Sequence, residues 1–251
     1  MEFSGKRVLV TGSTRGLGLA AARLFLERGA EILVHGHDGN GVTRAVTSLT
    51  KDFLGRVQGF PADLGDRAAC RRLAQQTGAV DVLVNNAGVF LEGAIPDVDL
   101  TLWQRSFAIN VTAPWILARA LLETLRERRG VIVNVSSDAG ILGYPGISTY
   151  CATKGAIIGL TKALAVELAP AVRAICVCPG PIETDMMRQS LAATPDPAAT
   201  RKVWEAYPAL RRVAQPEEVA EAILFAASPR SSFMTGNLIV VDGGVTMGKR
   251  V

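Results

Sequence analysis

Tyr150 and Lys154 stand four residues apart in the run Tyr150-Cys151-Ala152-Thr153-Lys154, and Ser137 lies thirteen residues before the tyrosine. A spacing of four puts a phenol and an ammonium on one helix face, about a turn apart. A free tyrosine titrates near ~10 and is a poor base at neutral pH. A neighbouring cation favours the phenolate and makes the phenol usable as a proton shuttle. Ser137 closes the apolar run 131–135, which reads as a buried strand, so its hydroxyl should sit where the strand stops and could donate to a carbonyl oxygen. Together the three residues suggest proton transfer to or from an alcohol oxygen.

The elements that must position them begin at the front of the chain. Residues 11–18 read Thr-Gly-Ser-Thr-Arg-Gly-Leu-Gly, between the apolar run 8–10 and the helix-forming run 19–22. Strand, glycine-rich turn and helix form the setting a dinucleotide site requires. Gly12 permits the tight turn, Gly16 lets the backbone approach a pyrophosphate, and Gly18 lets helix and strand pack closely. The phosphates would lie at the helix N-terminus, on free N–H groups and the positive end of the dipole.

Apolar runs recur at 8–10, 32–35, 57–60, 82–84, 131–135, 175–178 and 238–241, with helical patterns at 17–28, 42–52, 66–77, 102–128, 150–169 and 217–227. That alternation predicts an α/β fold, a Rossmann-type doubly wound seven-stranded parallel sheet with helices on both faces. The carboxyl ends of the strands should converge on one crevice, where ligands bind in such sheets. The whole chain, 1–251, reads as one domain, since no repeat or Pro/Ser-rich linker divides it. The stretch 181–212 fits no strand, and its Met186, Met187, Trp204 and Tyr207 could form a helical substrate lid.

Three further runs complete a pattern: Asn85-Asn86-Ala87-Gly88 after a strand, Asn110 within Phe107-Ala108-Ile109-Asn110-Val111, and Pro179-Gly180 after another strand. In this order the motifs resemble the short-chain dehydrogenase/reductase family in its compact form, from Gly5 to Gly244, and most resemble its 3-oxoacyl-carrier-protein reductases. The family's T-G-x-x-x-G-x-G motif falls on Thr11, Gly12, Gly16 and Gly18, and its Y-x-x-x-K motif on Tyr150 and Lys154. The resemblance implies a catalytic quartet of Asn110, Ser137, Tyr150 and Lys154. It further implies a cofactor groove over Gly12, Thr14, Arg15, Gly16, Leu17, Gly18, His37, Asp63, Asn86, Gly88, Pro179, Gly180, Ile182 and Thr184, shared with Tyr150 and Lys154. The substrate end would be lined by Ser137, Ala139, Tyr144, Tyr150 and Met187.

The implied reaction is hydride transfer between a nicotinamide and a ketone or secondary alcohol. Tyr150 would act as acid/base, Ser137 would hold the oxygen, Lys154 would bind the nicotinamide ribose and lower the tyrosine pKa, and Asn110 would position a water. NADP(H) is favoured over NAD(H): Gly36 stands where the family's usual aspartate would be, leaving room for the 2′-phosphate, and Arg15 supplies a base. Asp38 argues the other way, because a slip of one residue brings a carboxylate to the ribose. Asp63 matches the family's adenine-binding aspartate and also reads as a helix cap. The apolar candidates Ala139, Ile141, Leu142, Cys151, Met186 and Met187, with Tyr144, favour an apolar or acyl-type carbonyl over a polyol. An NAD-dependent alcohol or sugar dehydrogenase is the alternative; a non-catalytic dinucleotide sensor is disfavoured by the intact quartet, and an epimerase by the glycine spacing.

Composition bounds the rest. With 49 % hydrophobic residues among 251, the chain can bury a large core, and no run approaches the ~18 apolar residues of a membrane span. The N-terminus lacks a signal-type stretch, so a cytoplasmic protein without membrane partners is expected. Four cysteines lack zinc-type spacing, and neither a metal nor a disulfide framework is expected. The net charge of +4 is modest, and the basic run 126–129 reads as a helix end rather than a nucleic-acid patch. Helices 102–128 and 150–169 carry apolar residues on more than one face, which with the family's habit implies a homotetramer or dimer.

Overall fold

The structure is a computed structural model that describes residues 1–248; the last three residues of the expected domain lie outside the described part. Strands β1 (Arg7–Val10), β2 (Glu31–Gly36), β3 (Val57–Pro61), β4 (Val82–Asn85), β5 (Val131–Val135), β6 (Arg173–Pro179) and β7 (Leu238–Val241) form a parallel sheet in the order β3-β2-β1-β4-β5-β6-β7. The order reverses between β1 and β4, so a crevice opens there at the carboxyl ends.

The strands are legible as apolar runs because helices cover both faces. On one face Val8, Val10, Ile32, Val34, Val82, Val84, Val131 and Val133 pack with residues of α1 (Gly16–Glu27), α2 (Gly39–Asp52) and α10 (Pro216–Ala227). On the other, Leu9, Leu33, Leu83 and Ile132 pack with residues of α3 (Arg67–Thr77), α5 (Ala113–Ala120) and α7 (Ser148–Leu168). Each fully buried leucine or valine contributes about 1.5–3 kcal/mol of transfer free energy. Cys176 and Cys178 are buried on one face of β6 with sulfurs 3.8 Å apart, as packing residues.

The expected single helix over 102–128 is broken. It runs as α4 (Leu100–Phe107), a π-helical turn (Ala108–Thr112), α5 and α6 (Leu122–Glu127). Pro114 explains the first break. It lacks the N–H that would bond the Asn110 carbonyl four residues back, and its ring crowds that oxygen. Arg128 of the basic run 126–129 bonds Asp81 at 2.9 Å at the base of the sheet.

The segment after β6 folds as α8 (Asp185–Ala192) and α9 (Pro197–Ala206), held by Met187, Leu191, Val213 and Trp204. Glu183 accepts from both Arg188 and Arg201, which ties the two helices at their charged edge.

Candidate active site

A groove of about 1170 Å³ follows the carboxyl ends of the strands. Every residue of the expected cofactor groove lines it, from Gly12, Thr14, Arg15, Gly16, Leu17 and Gly18 to Tyr150, Lys154, Ile182 and Thr184, and so do Ser137, Ala139, Tyr144 and Met187 of the expected substrate end. Asn110 lies directly behind the wall, 2 % exposed.

The glycine turn is built for a close approach. A Cβ on Gly18 would lie 2.2 Å from the Gly12 carbonyl oxygen, so only glycine lets α1 start this close to the turn. The α1 N-terminus has no side-chain cap at Arg15 and no acidic residue in its first turn. Its N–H groups therefore face the groove as anion-binding donors, which suits a pyrophosphate. Thr11 and Asn86 fix the turn from below: the Thr11 hydroxyl accepts from the N–H groups of Asn86 and Ala87 at 3.0 Å each, and the Asn86 amide donates to the Thr11 and Gly12 carbonyls at 2.9 and 3.2 Å. Asn86 thus shapes the cofactor floor through the loop.

His35 is a member of this support that the sequence reading missed. Its Nδ1 accepts from the Gly12 N–H at 3.1 Å, and its Nε2 lies 3.1 Å from the Ala62 carbonyl, which requires a proton on Nε2. Burial lowers its pKa from 6.5 to about 4 and keeps the ring neutral.

At the adenosine end three expectations change. Gly36 lines the groove, and packing as well as the groove requires a glycine there, because a Cβ would meet Thr14 Cγ2 at 2.5 Å and Val42 Cγ2 at 3.1 Å. Asp38 caps α2 by accepting from the Gly41 N–H at 2.7 Å, and that bond is the main reason its carboxyl lies below the usual range. Asp63 is not the cap of α3; Asp66 is, through the Ala68 N–H at 2.8 Å. Asp63 instead pairs with both terminal nitrogens of Arg105 at 2.9–3.1 Å and accepts from the Gly65 N–H. Burial raises the Asp63 pKa, but these donors outweigh it and hold the carboxyl below its usual range. His37 stands 3.7 Å from Asp63, and Arg44 also lines the groove, as a second base the sequence reading passed over. Arg15 extends toward α8, 4.0 Å from Asp185.

The reacting end is formed by β5, the turn after it and α7. Lys154 is 5 % exposed, donates to the Val135 carbonyl at 2.9 Å and lies 5.5 Å from the Tyr150 ring centroid. Burial lowers its pKa to about 8. Burial pushes Tyr150 above the usual tyrosine range, Asp138 adds to that, and the neighbouring Ser137 hydroxyl opposes it. Tyr150 therefore lies above the usual tyrosine range, not below it as the spacing to Lys154 led one to expect. Phe90 meets the Tyr150 ring edge-on at 4.8 Å and fixes its tilt.

Asn110 accepts from the Val89 N–H at 2.8 Å and donates to the Val89 carbonyl at 3.0 Å and Thr153 Oγ1 at 3.1 Å. The side chain ties the loop after β4 to α7 and does not bond its own helix. A Cβ on Gly88 would lie 3.3 Å from Asn110 Oδ1 and 3.6 Å from Lys154 Nζ, so Gly88 keeps that corner open.

The substrate end is more polar than expected. Ala139, Tyr144, Met186 and Met187 line it, whereas Ile141, Leu142 and Cys151 do not; Ile141 and Leu142 are exposed, because residues Asp138–Gly140 turn away as a 3₁₀ helix. In their place come Asp138, Glu92, Ser190, Thr194, Thr200 and Tyr207. Ser190 donates to Glu92 across the groove, joining α8 to the loop after β4. Burial raises the Asp138 pKa, against the hydrogen bonds it accepts from Ser137 and Tyr144. Among the described residues there is no cluster of His, Cys, Asp and Glu suited to a metal ion, and no helix long and apolar enough to cross a membrane.

The enoyl-(acyl carrier protein) reductase family profile matches residues 12–246, nearly the whole chain. The chain belongs to the short-chain dehydrogenase/reductase family. The 2-(S)-hydroxypropyl-CoM dehydrogenase 3 of Xanthobacter autotrophicus is 37 % identical over 247 residues, covering 95 % of this chain and 96 % of that one. The meso-2,3-butanediol dehydrogenase of Serratia marcescens is 35 % identical over 251 residues, covering 98 % and 96 %. A solved structure described as a short chain dehydrogenase/reductase family protein superposes with a TM-score of 0.89 at 38 % identity, covering 98 % of this chain and 99 % of that one. As a short-chain dehydrogenase/reductase, the protein is an oxidoreductase acting on alcohol and ketone substrates.

Proposed function

We propose that this oxidoreductase interconverts a ketone and its secondary alcohol with NADP(H), using Ser137, Tyr150 and Lys154 at the reacting end. The observation that carries the reading is that the glycine turn, with its uncapped helix N-terminus, and the Tyr150–Lys154–Ser137 group line one groove. The nicotinamide, when bound, supplies the hydride for reduction or accepts it in oxidation. The chain's residues handle the proton and the oxygen. In reduction the Tyr150 O–H bond breaks as the carbonyl oxygen takes its proton, and the ketone becomes an alcohol. The phenol arrives protonated, as a tyrosine does at neutral pH. Ser137 holds the oxygen, and a hydrogen bond to it strengthens as alkoxide character develops. Lys154, pinned to the Val135 carbonyl, offers its remaining protons to the cofactor ribose and returns a positive charge toward the phenol. Asn110 holds Val89 and Gly88 against Lys154, and its main-chain oxygen, released by Pro114, is the acceptor for a relay water.

NADP is supported by two bases at the adenosine end, His37 and Arg44, by Arg15, which lines the same groove with Asp185 4.0 Å away, and by the engagement of Asp38 with its own helix. An arginine–phosphate contact contributes about 1.5–3 kcal/mol, or roughly ten- to a hundredfold in affinity. Arg15→Ala should weaken NADPH by about that factor and leave NADH nearly unchanged, as read by calorimetric dissociation constants. Equal affinity of the unmodified protein for both cofactors would overturn the NADP assignment. A panel of ketones, aldehydes and acyl thioesters, followed at the nicotinamide absorbance, tests the reaction itself.

A further inference from the structure

We propose that Arg105 occupies Asp63 so fully that the protein makes no hydrogen bond to the 6-amino group of the cofactor's adenine, and that Arg105 itself meets the purine edge. The groove then takes a 6-oxopurine dinucleotide at least as well as the adenine one. The proposal rests on the reading of the groove as a nicotinamide dinucleotide site.

The place of the base follows from the two ends of the groove. With the pyrophosphate at the α1 N-terminus and the nicotinamide beside Tyr150 and Lys154, the other half of the dinucleotide lies over β2 and β3. The lining there includes Gly36, His37, Ala62, Asp63, Leu64 and Arg105. The side chains of Asp63 and Arg105 are 37 % and 44 % exposed, so a base can reach both.

Asp63 has no acceptor position left for an amine. A carboxylate offers about four lone-pair sites. Its Oδ1 accepts from the Gly65 N–H at 2.8 Å and from Arg105 Nη2 at 2.9 Å, and its Oδ2 accepts from Nη1 and Nη2 at 3.1 Å each. An amine that bonded Asp63 would have to displace one arm of a charge-assisted bidentate pair, and a neutral N–H is the weaker donor. Arg105 is in the opposite condition. A guanidinium carries five N–H donors, and its three contacts with Asp63 use three at most. The others have no partner among the described residues. They call for acceptors on the ligand. Every purine offers N7, but only a 6-oxopurine adds an acceptor at position 6, and arginine takes that O6/N7 pair on guanine in nucleic acids. Adenine sets a donor against a donor there.

Gly65 gives Arg105 its place. A Cβ at Gly65 would overlap Arg105 Nη1 and lie 2.6 Å from its Cζ. Gly65 does not have a positive φ, so the close approach of the guanidinium, and not the backbone conformation, is what glycine provides here.

The test compares calorimetric dissociation constants for NADPH and NADH with those for their reduced hypoxanthine counterparts, so that any preference for the 2′-phosphate cancels within each pair. The unmodified protein should bind the hypoxanthine member as tightly as the adenine member, or up to about tenfold tighter. Arg105→Ala opens Asp63 to the amine and removes the donors to O6. It should move the ratio toward adenine by about ten- to a hundredfold, as for a hydrogen bond to a charged group. Gly65→Ala, which keeps both charges and pushes Arg105 off Asp63, should move the ratio the same way. Tighter binding of the adenine member by the unmodified protein overturns the proposal alone, as does a ratio that either variant leaves unchanged. No binding of any of the four dinucleotides overturns the proposal together with the cofactor reading beneath it.

Discussion

Lowering the pH from 7 to 4 should destabilise this protein through His35 in particular. The imidazole is 2 % exposed and is held neutral between the Gly12 N–H and the Ala62 carbonyl. Its pKa is 6.5 in a free chain and about 4 when folded. The unfolded chain therefore binds a proton as pH falls through 6.5, while the folded chain resists until about 4. Stability is at its full value above pH 6.5, falls between 6.5 and 4, and loses nothing further from this residue below that. The difference between 6.5 and about 4, at ~1.36 kcal/mol per tenfold change in proton affinity, gives a loss of about 3 kcal/mol. A protonated Nδ1 would also set donor against donor at Gly12, so the glycine turn should loosen below pH 4. The assay is urea unfolding at several pH values for the unmodified protein and for His35→Gln, which cannot titrate but can still accept and donate. Carboxylates held low in the folded state, such as Asp63 and Asp81, lose stability in acid in both proteins and cancel in the difference. Parallel stability curves for the two proteins from pH 7 to 4 would refute the reasoning.

Tyr150→Phe should lower turnover by ~10²–10⁴ or more with cofactor dissociation constants nearly unchanged, and a variant that retains activity on the same substrate rejects the acid assignment. Lys154 loses its charge as pH rises through about 8, so activity should decline on that limb; Lys154→Ala should both weaken cofactor binding and move the limb upward, and a change in affinity alone would reject its role in proton transfer. Trp103, Trp115 and Val166 are 39 %, 45 % and 83 % exposed on α4, α5 and α7, so light scattering at micromolar concentration should report a dimer or tetramer; a monomer rejects that association.

The sheet was legible because strands buried on both faces must be apolar along their whole length, and helices cover β1, β4 and β5 on both sides. The glycine turn was legible for a related reason: close approach excludes side chains, and at Gly18 the exclusion is steric and absolute. The break at Pro114 could have been read as well, since proline cannot serve the carbonyl four residues back. What the sequence hid were contacts set by distance in space. Arg105 lies 42 residues from Asp63, and His35 lies 23 residues from the Gly12 N–H it supports. An imidazole in an apolar strand reveals burial, and only the fold reveals what it bonds.

Gly36 and Asp138 mark opposite limits of reading a residue type as chemistry. At Gly36 the missing acid was taken as room for a phosphate, and the structure adds a packing reason for the glycine, since a Cβ there would meet Thr14 and Val42. Cofactor choice must then be made by the longer side chains around it, and Arg15, Arg44 and Asp38 become the residues whose exchange should alter it. Asp138 carried a signal that the run of apolar neighbours obscured, namely a carboxylate directly after Ser137. Adjacent residues at the end of a strand would ordinarily point to opposite faces. Here the chain enters a 3₁₀ turn at Asp138, which swings the carboxylate back to the serine hydroxyl and turns Ile141 and Leu142 outward. One local change of backbone thus puts a carboxylate on the groove wall and takes two expected apolar side chains off it.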